Sequence, residues 1–204
     1  DRDGKLSISL PADISNEKAN QKMRLEAVVK EKNNQVIAAS QEWTVHQAAL
    51  QVGIKPERYS SKAGSEARVE VVSVGIDGQE LGNIPLKVSF YKRDWSYIRE
   101  KNSDDDEFYW VTKANDTFVV SEEVVTGEFG RSTAAFTPTE GGTYHAVAEA
   151  QDKEGRKTKS GTHLWVSGYG ASYPKLNHDR IVLVPDKQEY EIGEEAKVVA
   201  SLPY

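Results

Sequence analysis

The chain has 204 residues, 38% of them hydrophobic, and a formal net charge of −6, which suits one large domain or two small ones with much surface. The acidic balance and scattered basic residues, with no Lys/Arg stripe interleaved with aromatics, exclude a nucleic-acid footprint. No apolar run reaches membrane-spanning length, and the lack of cysteine excludes disulfides, thiolate metal ligands, a cysteine nucleophile and an internal thioester within these residues.

Short β-like runs recur between Gly, Asn, Asp and Pro, and no window sustains helical periodicity over three turns, so the expected class is all-β. No charged-then-apolar start suggests a signal peptide, and the chain begins without Met and stops in strand-like sequence at Leu202-Pro203-Tyr204. It reads as an excerpt of a longer protein.

Lys5 to Leu10 is a first expected strand and Met23 to Lys30 a second, with Met23, Leu25, Ala27 and Val29 on one face. Glu31-Lys32-Asn33-Asn34 turns the chain into a return strand, Gln35 to His46, with Trp43 and Val45 inward. Further on, Ala67, Val69 and Val71 alternate inward, and Ile84-Pro85-Leu86-Lys87-Val88-Ser89-Phe90 alternates strictly after turns at Asp77-Gly78 and Gly82-Asn83. About seven strands are expected from there to Val166, as in an immunoglobulin-like sandwich without its disulfide.

The most regular stretch runs from Thr143 to Val166. Tyr144, Ala146, Ala148 and Ala150 alternate with His145, Val147 and Glu149, and Asp152-Lys153-Glu154-Gly155 supplies a turn whose glycine can adopt the left-handed conformation of a three-residue hairpin loop. This hairpin matches the earlier one without a gap at an offset of 121 residues: Met23 falls on Tyr144, Leu25 on Ala146, Trp43 on Leu164 and Val45 on Val166. Gly4 through Leu10 likewise falls on Gly130 through Phe136. A second match sets Tyr59 and Gly64-Ser65-Glu66-Ala67-Arg68-Val69 against Tyr190 and Gly193-Glu194-Glu195-Ala196-Lys197-Val198, with Ala196, Val198 and Ala200 expected to face inward. The layout that follows is the C-terminal part of one domain at 1–47, a complete domain at 48–168, a linker at 169–178 and the N-terminal part of a third domain at 179–204.

The order of Tyr59, Gly64-Ser65-Glu66-Ala67, Phe90-Tyr91-Lys92-Arg93-Asp94-Trp95, Gly130 through Pro138, Gly141-Gly142-Thr143-Tyr144, Asp152-Lys153-Glu154-Gly155 and Leu164-Trp165-Val166-Ser167-Gly168 resembles the macroglobulin-like domains of bacterial alpha-2-macroglobulins. The opening of the next domain, from Asp186-Lys187-Gln188-Glu189-Tyr190, is similar to that family's domain starts. The resemblance implies tandem immunoglobulin-like or fibronectin III-like antiparallel β-sandwiches. It also implies a non-catalytic structural segment of a secreted or periplasmic endopeptidase inhibitor of the cell envelope, which encloses a protease after a bait segment is cut. The family's thioester needs a Cys, which this excerpt lacks. Neighbouring domains of the same parent, and proteases through that parent, are the implied partners; no nucleic acid and no membrane contact is expected. The alternative is a tandem Ig-like stalk or adhesin of a bacterial surface protein, and a carbohydrate-binding module is third.

No catalytic, cofactor-binding or metal residue is expected. Asp104-Asp105-Asp106-Glu107 lacks the alternating spacing and glycine of a calcium loop and reads as a solvated turn. His145 falls opposite His163 on the outer face if Asp152 pairs with Arg156, but two imidazoles without a third ligand fall short of a zinc site. Glu149 shares that face and pairs with Lys159. Trp95, Trp110, Tyr91, Tyr97 and Tyr109 form an aromatic-rich region able to stack on sugar rings, several of them expected in the core. No serine sits in an elbow motif. Trp165, outward and beside the linker, together with Tyr169 and Tyr173, is expected to make interdomain contact. The segment from Ser167 to Asn177 is expected to hinge or be cut, and the part-domains at the ends to be partly disordered or completed by strand exchange.

Overall fold

A computed structural model describes residues 5–14, 19–30, 35–101, 108–170 and 181–201. Most of the alternating sequence becomes strand. β1 (Gln21–Lys30) and β2 (Val36–Val45) form a hairpin; β3 (Leu50–Pro56), β4 (Ser60–Lys62), β5 (Ala67–Gly75), β6 (Pro85–Lys101), β7 (Phe108–Val125), β8 (Arg131–Phe136), β9 (Gly142–Gln151) and β10 (Lys157–Ser167) follow. β11 (Val182–Pro185) and β12 (Val198–Ser201) form a last antiparallel pair.

β3, β5 and β8 make a three-stranded sheet, and a second sheet runs β4-β10-β9-β6-β7. The first strand switches sheets: β3 pairs antiparallel with β5, whereas β4, four residues on, pairs parallel with β10. Between the sheets lie Val69 and Val71 of β5, Phe136 of β8, Leu86, Val88 and Phe90 of β6, Tyr144, Ala146 and Ala148 of β9, and Leu164 and Val166 of β10. Where a disulfide would tie an immunoglobulin sandwich, Phe136 bridges the sheets, its ring stacked 4.2 Å from Phe90 and 5.2 Å from Tyr144. The Tyr144 hydroxyl donates to the Glu140 carbonyl at 2.9 Å, the tyrosine corner of such sandwiches. Burial raises the pKa of this phenol above its ordinary value. Buried hydroxyls are satisfied at the other end: Ser73 and Thr126 both donate to the Leu81 carbonyl, and Thr126 accepts from the Ile84 amide. Gly130, at φ 68°, passes so close to the Ser73 carbonyl that a Cβ would lie 2.7 Å from it.

Two hairpins share one register. Met23 faces Trp43 as Tyr144 faces Leu164, and the pairing keeps the 121-residue offset from end to end. Several expectations are corrected. Residues 5–10 form no strand, and Leu6 is 82% exposed. Trp43 is 37% exposed rather than buried, and Ala196, Val198 and Ala200 are exposed too. β1 with β2, and β11 with β12, pair only with each other among the described residues, so no second layer among these residues covers their apolar faces. Ile84 to Val166 holds five strands rather than seven, because β6 and β7 are 17 and 18 residues long. β9 accompanies β6 only as far as Arg93; beyond it β6 and β7 continue as a two-stranded ribbon. The acidic run 104–107, the turn 31–34 and the linker from 171 onward lie outside the described residues.

Replacing Phe90 by Ala is expected to cost about 3–5 kcal/mol in chemical denaturation, since its ring is fully buried between the sheets. Phe129→Ala, on an exposed ring, is expected to change stability by no more than about 0.5 kcal/mol.

Candidate functional site

With Tyr144 and Ala146 inward, the period of two sends Thr143 and His145 to the outer face of the five-stranded sheet. Register does the rest. His145 lies opposite His163 on β10, Tyr91 opposite His145, and Arg93 opposite both Thr143 on β9 and Asp116 on β7. The two imidazoles stack with centroids 4.9 Å apart. Arg93 is the hub. Its Nε and Nη2 donate to the two oxygens of Asp116, both at 2.6 Å, and Nη1 donates to His163 Nε2 at 2.7 Å. His145 Nδ1 lies 2.9 Å from Arg93 Nη2 and 3.1 Å from Asp116 Oδ2.

A guanidinium only donates, so His163 Nε2 must accept and its proton resides on Nδ1. Burial first, then the neighbouring His145 and Arg93, push the His163 pKa below its ordinary 6.5. The hydrogen bonds from Arg93 hold the Asp116 carboxyl below the usual carboxylate range. Arg93 thus occupies the position a metal would need between the imidazoles and the carboxylate, and no three His, Asp or Glu side chains among the described residues are grouped to hold one. The sequence reading paired the histidines but missed Arg93 and Asp116. β7 carries a bulge opposite Phe90 and Tyr91 that leaves Val119 unpaired and turns Asp116 to the outer face.

Other expected partners shift by small steps. Glu149 stands opposite Lys159, yet its ion pair is with Lys157, at 2.9 Å. Four of these aromatics lie outside the core: Tyr91 and Trp95 are half-buried on the outer face, and Tyr109 and Trp110 are exposed on the ribbon, Trp110 to 71%. Tyr97 lies on β6 in that ribbon.

A buried carboxylate holds the connection into the sandwich. Asp152, in the β9–β10 turn, accepts from the Ala49 amide at 2.9 Å where the chain enters β3, from the Glu154 and Arg156 amides, and from Arg156 Nε at 2.7 Å. Burial opposes its ionisation, but these donors outweigh it and bring its pKa to about 2. Asn20 ties the same connector, accepting from the Gln47 amide and donating to Gln51. At the far end the Trp165 amide donates to the Tyr59 carbonyl, and the Tyr59 amide donates to the Asp186 carbonyl. The Asp186 carboxylate accepts from the Tyr190 hydroxyl and the Lys197 amide, with Arg58 at 3.7 Å. Trp165, expected at an interdomain contact, is half-buried one hydrogen bond from this joint; Tyr169 is 97% exposed, and Tyr173 lies outside the described residues.

Residues 53–169 match the family of bacterial macroglobulin domain 6. No curated protein matches the chain. Among solved structures it is similar to native Escherichia coli alpha-2-macroglobulin, at 18% identity and a TM-score of 0.50, over 90% of this chain and 12% of that one. It is also similar to E. coli alpha-2-macroglobulin activated by porcine elastase, at 16% identity and a TM-score of 0.51, over 81% of this chain and 14% of that one. Both likenesses are of fold, and the chain spans about an eighth of the length of these proteins.

A neutral His163 stabilises the fold above pH 6.5 and loses that contribution as the pH falls below it. Its imidazole is expected to titrate by NMR with a midpoint under 6.5 that rises in Arg93→Gln. Asp152 contributes stability that is lost as pH falls from 3.8 towards about 2. Asp152→Asn is therefore expected to be less stable at neutral pH and to show a flatter decline of stability through that acid window.

Proposed function

Because the chain belongs to the family of bacterial macroglobulin domain 6, we propose that it is a non-catalytic wall segment of an alpha-2-macroglobulin-like endopeptidase inhibitor. The observation that carries this reading is the extent of the match, which covers nearly all of the sandwich from β3 to β10. The chain then contributes geometry and the parent contributes inhibition. Bait cleavage, and a thioester if the parent uses one, belong to other parts of that parent.

The chemistry of the chain supports a passive role. Among the described residues, the bonds that His145 and His163 make run to Arg93 and Asp116, with no serine oxygen among them, so the outer-face cluster has the form of a braced polar patch rather than a nucleophile and its base. The joints at Asp152 and Asp186 support a wall whose units are held at set angles. In this reading 1–47 and 179–204 are parts of flanking macroglobulin-like domains, 48–168 is the complete one and 169–178 links it onward. Trp165, Tyr169 and Tyr173 face the neighbouring domain, and the parent works in the periplasm or outside the cell.

The test is to mix the full-length parent with excess trypsin-like protease and assay a small peptide substrate beside a large protein substrate. Retained activity towards the small substrate with loss towards the large one is the expected outcome of physical enclosure. Equal activity towards both would overturn the trap for that protease and favour a stalk or adhesin.

A further inference from the structure

The outlying strand pairs repeat the central sandwich in register. Pro185 faces Val198 and Leu183 faces Ala200 as Pro56 faces Val69 and Ile54 faces Val71, so β11–β12 has the pairing of β3–β5. β1–β2 has that of β9–β10, yet Val29 and Ile37 are 62% and 65% exposed where Ala150 and Thr158 are buried, and Trp43 is open where Leu164 is covered. What the hairpin lacks, among the described residues, is the β3-β5-β8 layer that covers β9 and β10. We propose that a second copy of this chain supplies it: β11–β12 of one copy takes residues 5–10 of another as a third strand and closes over that copy's β1–β2 hairpin.

The central sheet dictates the register. β5 pairs with β8 through Ala67 on Phe136, Val69 on Ala134 and Val71 on Ser132. Carried to the outlying segments by the two sequence matches, these become Ala196 on Leu10, Val198 on Ile8 and Ala200 on Leu6. Every one of these is apolar and exposed. Between them Lys197 falls on Ser9, so no like charges meet there. Lys197 spends its amide and its carbonyl on Asp186, which by the alternation of an antiparallel ladder turns the backbone groups of Val198 towards the other edge of β12, where β8 would sit. Leu10 takes the place of Phe136 and meets Met23 as that ring meets Tyr144. The match is made between copies. The hairpin is tied beside the entry to β3, through Asn20, and β11–β12 beside its exit, through Tyr59, about 20 Å away along the strand. Such a contact joins unlike surfaces, so a copy blocked on one can still use the other. The inference rests on reading 1–47 and 179–204 as part-domains and not on protease enclosure, so each can fail alone.

The experiment follows the full 204-residue chain by analytical ultracentrifugation up to about 100 µM, beside Ile8→Asp and Val198→Asp. The unmodified chain is expected to associate with a Kd of about 10 µM, weakly because the joined unit has no counterparts of β6 and β7. Its association is expected to slow hydrogen exchange at the amides of residues 5–10. Each variant alone is expected to stay monomeric, since every contact it could make carries the new charge. Their equimolar mixture is expected to form a one-to-one dimer, because Ile8→Asp keeps an intact β11–β12 and Val198→Asp an intact segment at 5–10. That rescue separates a blocked surface from a misfolded variant. Val125→Asp, on an exposed side chain of β7, is expected to associate as the unmodified chain does. An unmodified chain that stays monomeric throughout, a mixture that stays monomeric, either blocked variant associating by itself, or loss of association in Val125→Asp would each overturn the proposal.

Discussion

Phe136 reaches across from the three-stranded sheet and lies against Phe90 and Tyr144 of the five-stranded one. In a chain without cysteine this aromatic bridge is the cross-tie between layers. Burial of each such ring contributes about 1.5–3 kcal/mol, a large part of the net stability of a domain. It also determines which way β9 faces. With Tyr144 pinned inward by its ring and by its hydroxyl on Glu140, the residues on either side have no choice but the outer face. Thr143 and His145 therefore stand where Arg93, His163 and Trp165 meet them. A one-residue slip of β9 would bury His145 and dismantle the polar cluster.

Much of this was legible from local pattern. The alternation around Tyr144, the turn at Asp152 to Gly155 and the pairing of His145 with His163 are properties of one hairpin, in which register follows from loop length. The same arithmetic aligned the β1–β2 hairpin, whose strands pair at the same offset. What failed was inference beyond the hairpin. Trp43 sits at an apolar position of an alternating strand, but inwardness requires a second layer, and alternation says nothing about whether one is there. Asp116 was hidden for another reason. A bulge changes strand parity by one, so a residue counted onto one face emerges on the other. Arg93 and Asp116 are 23 residues apart, across a ribbon whose length no turn signal announced.

Two buried aspartates stand at opposite ends of the sandwich and hold them differently. Where a chain passes between units its backbone amides lose their sheet partners, and an orphan amide in a covered joint is costly. Asp152 takes the Ala49 amide at the entry to β3, whereas the Asp186 carboxylate binds Tyr190 and Lys197 of its own segment and meets the sandwich through its carbonyl on the Tyr59 amide and through Arg58. Because they are shielded, these bonds are screened by salt less than the surface ion pairs of Lys55 with Glu70 or Arg131 with Glu80.

The sheet switch between β3 and β4 has a mechanical meaning. β4 belongs to the start of the sandwich and β10 to its end, and they run parallel, with Ser60 beside Trp165 and Lys62 beside Ser167. Tension applied along the chain pulls these neighbours in opposite directions along their common axis. The bonds from Trp165 to Tyr59, from Ala63 to Ser167 and from Ser167 to Ser61 are then loaded together in shear, and none can be peeled open alone. An antiparallel pair of terminal strands would instead open one rung at a time. A module clasped this way resists stretching until the whole clasp gives.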